Sequence, residues 1–149
     1  MKSILKNLFS VGNYSTNVDV ALLLLRVMVS AMMLTHGYGK FVNLFGDEPI
    51  QFADPLGLGV TLSLILAVFA EFFCSLFLAL GIATRLASIP LIVTMSVAAF
   101  IIHAEDAFSV KEMSLLYLLI YVILLIAGAG KYSIDNWIYK KTTPSFGRP

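Results

Sequence analysis

Charge is what this chain has least of. Of its 149 residues, 13% are charged and the net charge is +1, whereas soluble domains carry roughly a quarter charged residues. A solvated globular surface of ordinary size is therefore excluded. So is nucleic acid as a partner, which needs a basic face to neutralise phosphates. Cysteine is nearly absent: Cys74 stands alone, which rules out an intramolecular disulfide, a thiolate zinc site and an iron–sulfur cluster. HExxH, CxxC and glycine-rich phosphate loops do not occur, so metalloprotease, thioredoxin-like and nucleotide-hydrolysing chemistry have no support. No internal repeat is visible. What the chain has in abundance is apolar sequence, with 59% hydrophobic residues and a mean hydropathy of +0.91.

Four apolar segments stand out: Val20 to about Tyr38, about Leu58 to Leu80, Leu86 to Ile102, and about Met113 to Ala129. Crossing an apolar core of about 30 Å takes about 20 helical residues. These lengths, with no period of two, predict helices and not barrel strands. The expected fold is an all-α, antiparallel four-helix transmembrane bundle. Residues 1–17 form a cytoplasmic or interfacial segment, 18–139 the bundle, and 140–149 a cytoplasmic tail. The N-terminal stretch lacks the apolar core and cleavage site of a signal peptide. Ile4, Leu5, Leu8 and Phe9 opposite Lys2 and Lys6 suit a short interfacial helix. Phe41 to Gly57 reads as a loop, Gly81 to Arg85 as a tight turn, and Pro90 as part of the third helix's first turn.

Lysine and arginine set the orientation. Lys2, Lys6, Arg85, Lys131, Lys140, Lys141 and Arg148 flank one side, against Lys40 and Lys111 on the other. Both termini are expected in the cytoplasm of a multi-pass inner-membrane protein.

Two charges lie alone inside apolar segments, Arg26 in the first and Glu71 in the second. A charge near the bilayer centre costs about 2.5–3.5 kcal/mol on insertion scales, so the two are expected to form one buried ion pair. Arg26 is about 10 Å and Glu71 about 15 Å from the same end of the bundle, a gap that long side chains close. At 100° per residue, Arg26, Ser30, Met33, Gly37 and Lys40 share a stripe. Ala67, Glu71, Ser75 and Leu78 share another, and Ser96, Ala99 and His103 a third. Such small and polar faces are what membrane helices pack with. His36, Tyr38, Lys40 and His103 gather at the outer mouth, which makes them the candidate site. Its histidines could hold haem or a metal, but only two are present and their spacing does not repeat.

Three stretches carry a resemblance. LLLLRVMVSAMMLTHGYGKF, with an intramembrane arginine and an HG-x-x-K end, resembles the first helix of the DoxX family. AEFFCSLFLALGIATRLAS resembles its second, and EMSLLYLLIYVILLIAGAGKYSID its last, with Lys131 where arginine is common and Ala129 where proline is. Arg26, His36, Gly37, Lys40, Glu71, Thr84, Arg85, Gly128, Gly130, Lys131, Tyr132, Ser133 and Asp135 are the matching positions. The resemblance implies a four-helix membrane protein and a small subunit associated with a quinone-linked oxidoreductase complex. A quinone is the cofactor it suggests, and a redox enzyme subunit or a second copy of the chain the partner besides the bilayer. Read from the residues alone, the last motif is an interfacial anchor in which Asp135 caps a short helix from Ser133 through Tyr139. A non-catalytic scaffold is the alternative function, and a small-solute or proton transporter a weaker one, because four helices without an inverted repeat leave little room for alternating access. Whether the chain itself catalyses a reaction stays open.

Overall fold

A computed structural model describes residues 12–142. The proposed interfacial helix around Ile4 to Phe9 lies outside them. Among the described residues the secondary structure is helical throughout, in five helices: α1 (Thr16–Phe45), α2 (Val60–Leu80), α3 (Thr84–Ile102), α4 (Phe108–Ala127) and the short α5 (Ile134–Thr142). The first four are long and apolar enough to cross a membrane. Their large exposed residues, such as Leu24, Phe69, Phe100 and Ile126, form the outward face that lipid requires.

The helices overrun the apolar runs because polar residues at their ends are still helical. α1 continues seven residues past Tyr38, and α4 starts at Phe108, five residues before Met113. α3 starts at Thr84, so Pro90 lies inside the helix and not in its first turn. Short connections make neighbours antiparallel. The loop 46–59 and the turn 103–107 lie at one end, called here the loop end. The turn 81–83 and the α4–α5 junction lie at the other, the junction end.

Small and polar residues line the interior. Ser30, Met33 and Gly37 on α1, and Ala67, Ser75 and Leu78 on α2, are buried. On α3 the buried face is Thr84, Ala87, Ser88, Leu91, Met95 and Ala99. Ser96 is only partly buried, bonding its hydroxyl to Ile92 O at 2.8 Å. Tyr117, Tyr121 and Leu124 face inward from α4. The hydroxyls of Ser30, Ser75, Thr84 and Tyr121 are buried with no protein partner.

Two helices widen locally into π turns, Phe69–Cys74 in α2 and Ala98–Ile102 in α3. In the second, His103 N–H reaches back to Ala98 O at 3.0 Å. Such turns are uncommon and concentrate at functional sites. Gly37 makes the first one packable. A Cβ there would lie 2.7 Å from the Glu71 carbonyl carbon and oxygen, so α1 rests directly on the backbone of the π turn.

Candidate functional site

The expected Arg26–Glu71 pair does not form. Arg26 Nη1 donates to Leu78 O at 3.2 Å and Ala79 O at 2.9 Å, and Nη2 donates to Tyr132 O. Glu71 is held instead by Lys40, whose Nζ donates to both carboxylate oxygens. Side-chain direction explains the exchange. Helical side chains lean toward their own N-terminus. In antiparallel α1 and α2, Arg26 therefore leans toward the junction end and Glu71 toward the loop end. Lys40, on the last turns of α1, leans back down to meet Glu71. The axial gap widens the separation: Arg26 is level with Leu78 and Ala79, seven to eight residues or about 11 Å from Glu71.

Arg26 thus works as a clamp at the junction end. The last carbonyls of α2 carry the negative end of the helix dipole, Leu78 O accepting from Gly81 N–H at 3.0 Å as well, and a planar guanidinium spans several of them. The Gly128–Asp135 motif surrounds it. Asp135 accepts from Ala83 N–H at 2.7 Å and Thr84 N–H at 2.9 Å, capping the start of α3 instead of its own helix. These bonds hold Ala83 in a left-handed conformation, φ 47°. Ser133 Oγ accepts from Asn136 N–H at 3.2 Å and so caps α5. Asp19 accepts from Lys131 N–H at 2.9 Å, and Asn136 donates to Lys131 O at 2.7 Å. Gly81, at φ 69°, could not be another residue: a Cβ would meet Arg26 Nη1 at 2.5 Å and Ser133 Cβ at 2.6 Å. Thr84 is fully buried, while Arg85 is partly buried and Tyr132 is largely exposed apart from its carbonyl. Gly128 and Gly130 supply positive-φ turns between α4 and α5. Of the motif residues, Arg26, Ser133 and Asp135 serve the joint through their side chains.

The loop end is different. A chamber of about 340 Å³ opens between α2 and α3 under the loop 46–59. Lys40 and Glu71 close one side, His103 stands on another, and Phe52, Leu66, Val93, Thr94, Val97 and Ala98 supply apolar and small walls. Both π turns contribute to it, through Glu71 and through Ala98 and Ile102. Lys40 Nζ lies 5.9 Å from the Phe52 ring centre. Glu71 keeps only 3% of its side chain exposed against 29% for Lys40, so the ammonium faces the space and the carboxylate anchors it. His103 Nδ1 contacts Asp106 Oδ2 at 2.7 Å, which orients the ring and leaves Nε2 as the other ring nitrogen.

The loop is a built roof. Asp54 accepts from Leu58 N–H at 2.9 Å, Gly59 N–H at 2.8 Å and Ser63 Oγ at 2.8 Å. The bond from Ser63, then that from Gly59, hold its carboxyl below the ordinary carboxylate range. Asp54 and Ser63 were not singled out from sequence. The signal was present, an aspartate a few residues before an apolar helix in the manner of an N-terminal cap.

The outer-mouth set is divided. Lys40 and His103 line the chamber, whereas His36 lines a separate groove between α1 and α4, its ring set edge-on to Tyr117 with centres 6.3 Å apart. The two histidines therefore do not make one ligand pair. Tyr38 is 62% exposed and lines neither space. No group of three or more His, Cys, Asp or Glu able to hold a metal occurs among the described residues.

Comparison with known proteins agrees with this architecture. A family model described as DoxX matches residues 21–104, a span that includes Lys40, Glu71 and His103. An uncharacterized protein of Haemophilus influenzae is 32% identical over 78% of this chain and 90% of its own length. A second from the same organism is 30% identical over 85% and 87%. The inner membrane protein YqjF of Escherichia coli is 28% identical over 83% and 95%. No solved structure matches. With four helices suited to crossing a membrane and a family match over more than half its length, this chain is a multi-pass membrane protein and belongs to the DoxX family.

Proposed function

We propose that this protein is the membrane subunit of a quinone-linked oxidoreductase complex, and that the chamber under the loop 46–59 receives the quinone headgroup. One observation carries the reading: a largely apolar chamber bounded by a buried ion pair, with an imidazole on another wall. Binding sites for small amphipathic molecules combine such apolar walls with a few convergent polar groups. Lys40 supplies a charge-assisted hydrogen bond to one carbonyl oxygen, and Phe52, Val93 and Val97 take the ring. Glu71 keeps the lysine aimed. His103, oriented by Asp106, is a second hydrogen-bonding group. Electrons come from the partner enzyme. The orientation follows the lysine and arginine bias, with both termini cytoplasmic and the chamber toward the opposite face.

The scaffold reading draws on the junction end, where Arg26, Asp135 and Gly81 serve architecture alone. Binding separates the two. Thr94 lines the chamber without touching the ion pair, so Thr94→Phe fills the space and spares Lys40–Glu71. In nanodiscs, a short-chain quinone should bind the natural protein and bind Thr94→Phe about 10-fold more weakly, the equivalent of one good hydrogen bond or a lost apolar contact. Melting temperatures should stay close. A protein that carries no quinone from the membrane and binds none afterwards would leave the scaffold in its place.

A further inference from the structure

The junction end carries a charge pattern that the joint itself does not use. Among the described residues it has two acids, Asp19 and Asp135, and both are buried with their carboxylates on backbone N–H groups. The exposed charges at this end are all cationic: Lys131, Lys140 and Lys141. The exposed acids, Asp47, Glu48, Glu105, Asp106 and Glu112, lie at the loop end. Depth follows from the helix ends. α2 stops at Leu80, α3 starts at Thr84 and α4 stops at Ala127. Asp135 N–H donates to Gly81 O at 2.9 Å, which sets the first turn of α5 level with those ends. Asp19, in the first turn of α1, meets Lys131 N–H at the same level. The 21 residues of α2 span about 31 Å, the thickness of a bilayer's hydrocarbon. Its end at Leu80, and with it the start of α5, therefore lies where headgroups begin.

α5 suits that level. Asp135 and Asn136 are buried, while Ile134, Trp137 and Lys141, spaced three and four apart, share an exposed stripe. Lys141 Nζ lies 3.8 Å from the Trp137 ring centre, and Lys131 Nζ 5.9 Å from that of Tyr132. Aromatic rings paired with lysine in this way are what an interfacial helix presents to the headgroup boundary. Asn136 Nδ2 donates to Lys131 O at 2.7 Å, and Lys140 follows Asn136 by one helical turn. Lys131 and Lys140 thus lie on the Asn136 side of α5 and Lys141 on the Trp137 side. We infer that α5 and Lys131 form a docking surface for anionic phospholipids in the leaflet at the junction end. The three ammonium groups meet lipid phosphates, and Trp137 and Ile134 enter the upper edge of the acyl chains. Charge selects the lipid. The amine of a zwitterionic lipid finds no exposed acid here and faces like charges, whereas an anionic headgroup meets only opposite ones. The inference does not depend on a quinone in the chamber.

Trp137 is the chain's single tryptophan, so its fluorescence reports on this surface alone. The protein is reconstituted into nanodiscs of equal phosphatidylglycerol and phosphatidylethanolamine, with brominated acyl chains on one lipid or on the other. Bromine quenches indole emission at short range. Quenching in the natural protein should show phosphatidylglycerol enriched around Trp137 by about 5-fold or more, the factor expected of one lysine near an anionic surface. The triple variant Lys131→Gln, Lys140→Gln, Lys141→Gln should bring the two lipids to parity, with Trp137 still quenched by both. All three lysines are exposed, so its melting temperature should stay close to that of the natural protein. Lys111→Gln, which removes one charge at the loop end, should change nothing. Equal quenching by the two lipids in the natural protein, or a preference that survives the triple substitution, overturns the inference. So does a preference lost in Lys111→Gln, which would trace it to overall charge. Absence of quenching by either lipid also overturns it, because α5 would then face water or another protein.

Discussion

Replacing Arg26 with methionine should cost the protein about 3 kcal/mol, since a buried carbonyl left without its donor costs about 1–3 kcal/mol. Three carbonyls from two chain segments lose their shared donor at once: Leu78, Ala79 and Tyr132. Arg26→Lys should recover less than half of the loss, because an ammonium cannot span the ends of α2 and the α4–α5 link as a planar fork does. The damage should start at the junction end. In detergent or bicelles, trypsin should cut after Lys131 well before the core unfolds, since Asp19 and Asn136 hold that residue only while the joint is closed. Equal sensitivity of all exposed sites would show that Arg26 supports the bundle generally and not this joint.

The second large effect lies at the loop end and tests which charges are coupled. Lys40→Met leaves a buried carboxylate without its partner and should destabilise by about 3 kcal/mol, the lower part of the range for broken buried pairs because the lysine is partly solvated. Lys40→Met combined with Glu71→Leu should recover much of that, giving a coupling energy of about 2 kcal/mol. Arg26→Met and Glu71→Leu should add within about 0.5 kcal/mol, as groups without shared partners do. Chemical unfolding in bicelles supplies all of the values. Strong coupling of Arg26 to Glu71, with none of Lys40, would restore the pairing that apolar context alone suggests.

That contrast shows what the sequence could and could not reveal. Periodicity placed Arg26, Ser30, Met33 and Gly37 on one face, and Ala67, Glu71, Ser75 and Leu78 on another, because burial in a bundle follows the helical repeat. Pairing does not follow from depth alone. Arg26 and Glu71 look only about 5 Å apart in depth when measured as residue counts, yet their side chains lean apart, and each meets a partner the counts do not favour. Asp135 escaped for a related reason. Read locally it caps its own helix, whereas in the fold it caps α3 across more than fifty positions of sequence. The π turns leave no periodic mark strong enough to read, and the roof over the chamber depends on Asp54 folding the loop back on Ser63. His36 lies level with Tyr117 at the middle of α4 whereas His103 caps the end of α3, and helices at different places around the bundle carry them to different cavities.

The quinone site proposed beneath the loop 46–59 can be tested in the native membrane. The most direct measurement is photolabelling in native membranes with an azido-quinone, followed by peptide mapping. The account predicts label on Phe52–Leu58 and on Val93–His103, reduced by excess natural quinone and by Thr94→Phe. Label confined to the α1–α4 groove, or spread evenly over lipid-facing residues such as Leu24, Phe69 and Ile126, would contradict it.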